Sequence, residues 1–594
     1  MNNKLENERT MTNKELFKKL FRYLKPELGK FLLAILMLML SVGCGLVVPL
    51  LNGETIKVMG KPVVEYDAIV KIALIFVAVL VVSFIAEYSQ ALLLQHAGQS
   101  IIYNVRMDVF RHLEFTSIEQ INQIPIGKLV TRVTNDTNAL NELFTDVLIN
   151  LLKSLVTLIG VIIFMFINNV KLASYMVTLM PFILVMTFAF NFWTRKAYRQ
   201  VRKNLSEINA SLSENLSGMK ITQVFNAEEK QYQEFKKRNE KLRKSNLKQI
   251  LLFAIFRPTI YVCYLGTVII VFWFGGKDAL IANDLNAIAA LVVFEMYINS
   301  FFNPIQQLSE QLNVLQSSLA SSERIFEILD TESNIQDYED AIELEELNGE
   351  IEFKNVWFAY EGENWILKDV SFHIKPREVV AFVGATGSGK TTILSLIVRN
   401  YDIQKGQILI DGIDVKKIKL ASLRKHFGQM LQDVFLFSGD IVDNIKMQED
   451  SITDEEVYNA CKYVGANHFI EKLENQYHEK VRERGNNFSS GQRQLLSFAR
   501  TIVHKPSVII LDEATANIDT ETEVLIQESL EKIMNIGTTL MVAHRLSTIQ
   551  HSDKIIVLSK GVIVEEGTHQ ELLKQKGQYY KLYTLQYEKN ILNK

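Results

Sequence analysis

The chain has 594 residues, enough for several domains, and a formal net charge of -3. This near-neutral balance gives the protein no overall attraction to nucleic acid. The three cysteines, Cys44, Cys263 and Cys461, lie far apart and form no Cys-x-x-Cys pair, so their spacing indicates neither a disulfide framework nor a metal site.

The N-terminal region, residues 1–30, is charged and contains no cleavable signal pattern. Residues 13–30 place apolar side chains on one face of a helix and surround that face with basic ones. Next to a membrane span, such a helix lies in the interface; the alternative is an ordinary surface helix. The apolar residues are Leu16, Phe17, Leu20, Phe21 and Leu24, and the basic residues are Lys14, Lys18, Lys19, Arg22 and Lys25.

Six apolar stretches follow, each with at most one charge and each long enough to cross about 30 Å of hydrocarbon. Buried core helices would not be so numerous or so long. The pattern therefore predicts an all-α transmembrane domain over residues 31–310, with six spans and two long, helically patterned loops. The stretches are residues 31–51, 72–95, 148–170, 172–194, 250–276 and 285–308.

The distribution of basic residues predicts the orientation of these spans. Lysines and arginines are concentrated before the first span and in the long loop at residues 195–248, whereas the turns at residues 168–171 and 277–284 carry few charges. The positive-inside rule then places the N-terminus and both long loops in the cytoplasm. We expect a multi-pass protein of the plasma membrane, whose last span returns the chain to the cytoplasm before a helical extension and acidic linker at residues 311–348.

Two acidic residues, Glu87 and Glu295, lie within apolar spans, where a charge costs roughly 2.5–3.5 kcal/mol on insertion scales. Such residues usually face the interior of the bundle and have a function. Phe301 and Phe302 lie close to Glu295 in the sequence, and a carboxylate among aromatic rings suits amphipathic organic cations. The four residues are candidates for a substrate cavity. The alternative is that each acid pairs with a buried basic or polar neighbour and holds the bundle together.

The second domain is predicted at residues 349–594, where apolar strands alternate with helical patterns as in a mainly parallel α/β sheet. The segment GATGSGKTT follows a buried strand at residues 379–383 and precedes a helix, which is the context that a phosphate-binding loop requires. Its glycines let backbone N–H groups approach phosphate, and its lysine adds a positive charge. The predicted ATP-binding residues of the loop are Gly384, Ala385, Thr386, Gly387, Ser388, Gly389, Lys390, Thr391 and Thr392.

Oxygen ligands for Mg²⁺ are predicted around this loop. The Thr391 hydroxyl is one, and Asp512, at the end of an apolar strand, holds the ion by way of water. The next carboxylate, Glu513, is expected to polarise the attacking water. Gln432 lies in a loop between these elements and is expected to sense the ion or the water.

Two further residues complete the predicted nucleotide site. His544 follows a strand at residues 539–542 and is expected to contact the γ-phosphate; a histidine there without the other motifs would more often be structural. Tyr360 follows a strand at residues 351–358 and is expected to stack on adenine, although an exposed aromatic residue alone would be weak support.

The segment at residues 488–492, Phe-Ser-Ser-Gly-Gln, resembles the LSGGQ signature of ABC transporters. From residue 13 to the C-terminus the chain resembles exporters whose membrane domain is fused ahead of the nucleotide-binding domain. Residues 482–485 resemble the X-loop, and residues 516–519 are similar to the D-loop. Residues 125–136 and 217–229 look like the two coupling regions. The implied signature residues are Ser489, Ser490, Gly491 and Gln492.

This resemblance implies a dimer in which two nucleotide-binding domains close head to tail over two ATP molecules. Each site would take its phosphate-binding loop, Gln432, Glu513 and His544 from one chain and its signature from the partner. ATP and Mg²⁺ are the implied cofactors. The implied activity is ATP hydrolysis that switches a membrane cavity between inward-facing and outward-facing states.

The signature departs from the family pattern at two positions, with Phe488 first and Ser490 in place of glycine third. A side chain there crowds the backbone approach to phosphate. Because Glu513 and His544 match the family, the chain resembles the catalytic-glutamate subunit of bacterial heterodimeric multidrug exporters. The expected partner is a different ABC chain with an intact signature and an altered glutamate; a homodimer with a tolerated serine is the alternative.

Export of amphipathic small molecules is the expected function, and three alternatives share parts of the pattern. A lipid flippase or an exporter of lipid-linked precursors would have every motif. An ATP-gated channel or regulator shares the fold, but Glu513 favours a pump. Peptide export is disfavoured because no protease-like domain precedes residue 13, and import is disfavoured by the fused domain order.

Overall fold

A computed structural model describes residues 11–61, 65–282, 285–430, 433–512, 520–542 and 549–592. The chain forms two compact units. The first comprises Met1–Phe115 and Pro125–Glu332, and the second comprises Thr116–Ile124 and Ser333–Lys594. The segment at residues 333–348, expected to be a linker, therefore belongs to the second unit.

The first unit is built from long helices. The two longest, α3 with 49 residues and α10 with 55 residues, are much longer than the roughly 20 residues that cross a bilayer, and they extend as polar helices beyond their apolar parts. The helices are α1 (Asn13–Leu24), α2 (Leu28–Met59), α3 (Tyr66–Glu114), α5 (Ile126–Thr131), α6 (Thr137–Glu142), α7 (Leu148–Asn168), α8 (Val170–Ser217), α9 (Met219–Val224), α10 (Glu228–Ala282) and α11 (Leu285–Asp330). The intervening α4 (Ile118–Asn122) lies in the second unit.

The apolar parts of these helices match the predicted spans. Five described segments, in α2, α3, α7, α10 and α11, are long and apolar enough to cross a membrane. The sixth stretch lies in α8, which begins with the shorter apolar segment Val170–Phe182. Side chains such as Leu38, Val147 and Phe294 form the buried core of the unit, whereas many apolar side chains of α3 are exposed, as expected of a surface that faces lipid or another chain.

Two π-helical turns, Arg132–Asp136 and Leu143–Val147, interrupt the helix that leads into α7. A π turn leaves a backbone carbonyl without its usual partner, and here the Arg106 Nε donates to Val133 O over 3.2 Å. The buried Asp136 carboxylate accepts from Arg324 on α11, with Nε to Oδ2 at 2.9 Å and a second bond from Nη2. These arginines fix the irregular segment between α3 and α11.

The second unit contains two main sheets. A four-stranded antiparallel sheet has the order β2-β1-β4-β5, and a six-stranded sheet has the order β12-β11-β3-β10-β9-β6, parallel except for β12. The strands are β1 (Ile351–Ala359), β2 (Trp365–Ile374), β3 (Val379–Val383), β4 (Lys405–Ile410), β5 (Ile413–Asp414), β6 (Phe427–Met430), β7 (Gly439–Asp440), β8 (Lys480–Val481), β9 (Val508–Asp512), β10 (Thr538–Val542), β11 (Lys554–Ser559) and β12 (Val562–Gly567).

Helices cover both faces of the parallel sheet, so strands such as β3 and β10 are buried along their whole length. This arrangement confirms the predicted fold class, an all-α membrane domain followed by an α/β domain. The helices are α12 (Lys390–Ile397), α13 (Leu420–Lys425), α14 (Ile441–Lys446), α15 (Asp454–Tyr463), α16 (Asn467–Ile470), α17 (Ser490–Val503), α18 (Thr520–Met534), α19 (His569–Gln575) and α20 (Gln578–Leu592).

The acidic segment before β1 is held by backbone and side-chain bonds. Ile342 forms a parallel bridge with Ile418, and the buried Arg399 guanidinium donates to Gln336 O over 3.0 Å. The short helix α4 packs in the same unit, where the Gln120 side-chain amide donates to Asn334 Oδ1 (3.2 Å) and accepts from Asn334 N (3.3 Å). The coupling region was predicted at residues 125–136, which lie in the first unit; the helix in the second unit comes just before them.

Candidate functional site

The carboxyl ends of four parallel strands meet at one edge of the six-stranded sheet. In the register, Val542 of β10 lies between Phe382 of β3 and Asp512 of β9, and Met430 of β6 lies beside Leu511. The phosphate-binding loop follows β3 directly. Ligand sites of open α/β sheets lie at this edge, so the topology brings the predicted nucleotide-binding elements together.

The phosphate-binding loop has the tight geometry that its sequence predicts. A Cβ atom on Gly384 would lie 2.3 Å from Leu558 O, and Gly387 and Gly389 have φ of 80° and 105°. Lys390 begins α12, and its Nζ donates to Gly384 O (2.8 Å) and Ala385 O (3.1 Å). The lysine charge is therefore held at the centre of the loop.

Two features of the loop fit a phosphate group and a hard cation. Among the described residues, the buried Ser388 Oγ has no hydrogen-bond partner, so a hydroxyl group is left to contact a ligand. The exposed Thr391 side chain and the half-buried Asp512 carboxylate supply oxygen ligands of the kind that Mg²⁺ prefers. The described residues contain no cluster of three or more histidine, cysteine, aspartate or glutamate side chains that could hold a metal ion.

Tyr360 lies directly after β1 and is 43% exposed, so part of its ring is free to stack on a base. Its hydroxyl lies 3.1 Å from Thr392 Oγ1 on α12, which ties the ring to the phosphate-binding helix. The partial burial of the ring raises the pKa of the Tyr360 phenol, which stays neutral. The Tyr360 ring meets the edge of Tyr401 with a centroid distance of 5.0 Å. The sequence reasoning missed Tyr401, whose only signal is its position just after α12.

The signature segment forms the N-terminus of α17. Ser489 is the N-cap residue: its Oγ accepts from Gln492 N over 3.2 Å, and Gln492 Oε1 accepts from Ser489 N over 2.9 Å. Phe488 is only 5% exposed and packs against Phe469. Phe488, the large first residue of the signature, is therefore part of the core. At the surface, only the half-exposed Ser490 departs from the LSGGQ pattern.

The two acids in the spans have different surroundings. Glu87 is exposed and forms an ion pair with the partly exposed Lys153, with 2.8 Å between Oε1 and Nζ. Glu295 is half-buried and accepts from the Tyr264 hydroxyl over 2.6 Å. Both acids therefore have a basic or polar neighbour, as the structural alternative requires. Phe301 and Phe302, predicted to line a substrate cavity, are 1% and 4% exposed. The Phe302 ring meets the Tyr264 ring edge-on, with a centroid distance of 5.8 Å.

Three predicted site residues, Gln432, Glu513 and His544, lie outside the described residues, as does the D-loop-like segment at residues 516–519. Each follows a strand whose end is described: β6, β9 and β10 respectively. Their predicted roles remain predictions.

The fold and the loop define a class of protein: a helical membrane domain joined to an ATP-hydrolysing domain with a phosphate-binding loop and a signature helix. The family model for the ABC transporter transmembrane region matches residues 31–305, and the ABC transporter model matches residues 367–516. The chain belongs to the ABC transporters, as a half-transporter of the exporter type, and it couples ATP hydrolysis to transport.

Relatives cover nearly the whole chain. An ABC transporter ATP-binding protein of Bacillus subtilis, YknV, is 39% identical over 96% of this chain and 95% of its own length. The probable multidrug resistance ABC transporter YheH of the same organism is 38% identical over 88% of this chain and 77% of its own. An ATP-dependent lipid A-core flippase of Syntrophus aciditrophicus is 32% identical over 97% of this chain and 95% of its own length. The solved structure of a bacterial Atm1-family ABC exporter with ATP bound superposes with a TM-score of 0.76 at 25% identity, covering 95% of this chain and 98% of that one.

Proposed function

We propose that this chain exports amphipathic small molecules, preferentially organic cations, across the plasma membrane as one half of a heterodimer. The observation that carries the substrate class is the Glu295 carboxylate, which is half-buried in an apolar span and held by the Tyr264 hydroxyl beside other aromatic rings. A fixed negative charge among aromatic faces attracts a cation that also has an apolar body. The relative named as a multidrug transporter supports this choice.

The nucleotide chemistry follows from the edge of the parallel sheet. Lys390 and the backbone N–H groups of its loop bind the phosphates, and Tyr360 stacks on the base. Thr391, Asp512 and Gln432 hold Mg²⁺, which neutralises charge on the transferred phosphoryl group when bound. Glu513 orients and polarises the attacking water, and His544 contacts the γ-phosphate.

A second chain is needed because the signature acts at the partner's nucleotide. The N-terminus of α17 presents backbone N–H groups and the Ser489 hydroxyl to that phosphate. A second contact with the partner chain is favoured at the tip of the second long loop. There α9 and the residue after it expose three apolar side chains: Ile221, Val224 and Phe225 are 66%, 68% and 76% exposed. Such an apolar cluster on a polar loop is costly in water and suits docking to another chain.

A heterodimer is proposed because Ser490 stands where the signature has glycine. Ser490 begins α17, and a side chain at this position would crowd the approach of a phosphate to the helix N-terminus. One nucleotide site of the pair would then contain the catalytic residues of this chain and the partner's intact signature. The other would contain Ser490 and hydrolyse ATP slowly.

Co-expression with candidate partner chains tests the assembly. The chain purified alone is expected to hydrolyse ATP slowly, and a matching partner is expected to raise both hydrolysis and transport. Rapid hydrolysis and transport by the chain alone would refute the heterodimer but would not contradict the proposal that the chain is an exporter.

A ligand panel tests the substrate class in the reconstituted protein. Amphipathic cations are expected to stimulate ATP hydrolysis more than neutral drugs do. The flippase relative makes lipid export the second candidate: stimulation by lipid and by no drug would favour it. Ion conductance without uphill transport would instead indicate a gated channel.

A further inference from the structure

The last residue of β1, Ala359, lies directly before Tyr360 and is only 3% exposed. On one side Ala359 pairs with Trp365 of β2. On the other side β1 pairs with β4 only as far as Trp357, which lies opposite Lys405. The ladder between β1 and β4 therefore stops before it reaches Ala359.

The Gln404 side chain takes the place of a neighbouring strand at this point. Its Nε2 donates to Ala359 O over 2.9 Å, and its Oε1 accepts from Ala359 N over 3.1 Å. The side-chain amide thus makes the two bonds that a residue of an adjacent antiparallel strand would make. Because a buried backbone group without a partner costs free energy, these bonds fix the backbone that leads into Tyr360.

Gln404 is itself held by the residue that follows it. The Lys405 Nζ lies over the rings of Trp357 and Trp365, at 5.6 Å and 5.2 Å from their centroids, and the two rings meet edge-on. These contacts join the start of β4 to β1 and β2. The Gln404 amide therefore reaches Ala359 from a fixed position in the backbone.

The Tyr360 ring has three further contacts. Its hydroxyl lies 3.1 Å from Thr392 Oγ1. Its ring is nearly perpendicular to the rings of Phe358 and Tyr401, with centroid distances of 4.9 Å and 5.0 Å. These contacts hold the ring itself, whereas Gln404 holds the backbone from which the side chain extends. The orientation of the exposed part of the ring depends on both.

We propose that Gln404 is a positioning residue of the nucleotide site, which sets the Tyr360 ring for stacking on the base. The nitrogen and the oxygen of its amide are both bonded to Ala359, so Gln404 acts through Tyr360. Without the amide, the end of β1 turns toward water to satisfy its backbone groups, and the ring tilts away from the base. This inference rests on the proposed stacking of Tyr360 and adds a residue outside the nucleotide-binding motifs.

The test compares two ligands of the full-length chain in lipid nanodiscs: ATP, and tripolyphosphate, which has the phosphates without the base. Dissociation constants are measured by equilibrium binding of radiolabelled ATP and by its displacement with tripolyphosphate. Gln404→Met keeps the length of the side chain and removes the amide. This variant is expected to weaken ATP binding at least about threefold and to leave tripolyphosphate binding unchanged.

Gln407→Met is the matched control. Gln407 is an exposed residue of β4, and its side chain has no hydrogen bond in the part of the chain that the structure describes. This variant is expected to bind both ligands as wild type does. The midpoint of thermal unfolding checks that each variant is folded.

Tyr360→Ala separates the positioning role from the stacking on which it rests. It is expected to weaken ATP binding by about tenfold. Adding Gln404→Met should cause no further loss, because Gln404 acts through the ring that is already absent. If Tyr360→Ala leaves ATP binding unchanged, the stacking proposal itself is wrong. If Tyr360→Ala weakens ATP binding, three results would overturn the positioning role: no effect of Gln404→Met, an equal loss of tripolyphosphate binding, or additive losses in the double variant.

Discussion

The Tyr264 hydroxyl donates a hydrogen bond to the Glu295 carboxylate over 2.6 Å, joining the apolar parts of α10 and α11. If that carboxylate attracts the substrate, Glu295→Gln should weaken export of organic cations by about tenfold and leave neutral drugs nearly unchanged, because the amide keeps the shape and removes the charge. Transport of a cation and a neutral drug into inverted vesicles measures the difference.

Glu87→Gln is the control for this experiment, since Glu87 already pairs with Lys153. We expect it to affect both substrates equally, through packing. If Glu295→Gln also affects both equally, Glu295 holds the bundle together and the cation argument is lost.

The second prediction concerns the bond between Asp136 and Arg324. Asp136 is 5% exposed, but the Arg324 side chain is 45% exposed and also donates to Ser321 Oγ. Asp136→Ala should therefore cost about 1–3 kcal/mol, less than removal of one member of a fully buried pair. A clear fall in the midpoint of thermal unfolding, followed in detergent, is the expected result.

Exchange of the two residues, Asp136→Arg with Arg324→Asp, is the matched control. The exchange should recover part of the loss, because the pair forms again with its members interchanged. The exchange variant could instead lose as much stability as Asp136→Arg and Arg324→Asp lose together. That result would mean that the π-helical turn, and not the pair, determines the stability.

These long-range pairs could not be predicted from the sequence, whereas the membrane spans and the phosphate-binding loop could. The apolar stretches and the phosphate-binding loop are local patterns of hydrophobicity and glycine spacing, so the spans and the Lys390 loop followed from the sequence. Tyr264 and Glu295 are 31 residues apart, and Asp136 and Arg324 are 188 apart. No local period links such residues, so their pairing depends on how the helices pack.

The short helix α4 illustrates the same limit. The Ser117 hydroxyl accepts from Gln120 N as an N-cap, a signal that is present in the sequence, but this signal does not show which unit the helix joins. A helix of five residues has no apolar periodicity to show which unit it joins. That choice is made by tertiary contacts such as the one between Gln120 and Asn334.

The third prediction concerns pH. A hydrogen bond from Lys505 Nζ, aided by bonds from Thr453, lowers the pKa of Glu456 from 4.5 to about 2. A lowered pKa means that this carboxylate stabilises the fold fully above pH 4.5, and that its contribution is lost as the pH falls from there toward 2. Between about pH 6 and about pH 3, Glu456→Gln should therefore flatten the acid-side decline in unfolding temperature.

Glu455→Gln serves as the comparison for the pH experiment, since Glu455 has no hydrogen-bond partner among the described residues. Its acid-side profile should follow that of wild type. Identical profiles for the two variants would show that the bonds to Glu456 do not persist in solution.

The last prediction separates the two unusual residues of the signature. Phe488 packs against Phe469 inside the core, so Phe488→Leu should leave ATP hydrolysis unchanged even though it restores the usual first residue. Ser490 lies at the first turn of α17, and we expect its side chain to crowd the approach of a phosphate to the helix N-terminus. In the chain purified alone, at concentrations where it self-associates, Ser490→Gly should raise ATP turnover by at least about tenfold, since loss of one transition-state donor typically costs about a hundredfold or more. An unchanged rate in Ser490→Gly would mean that the serine is tolerated, and the argument for a heterodimer would lose its support.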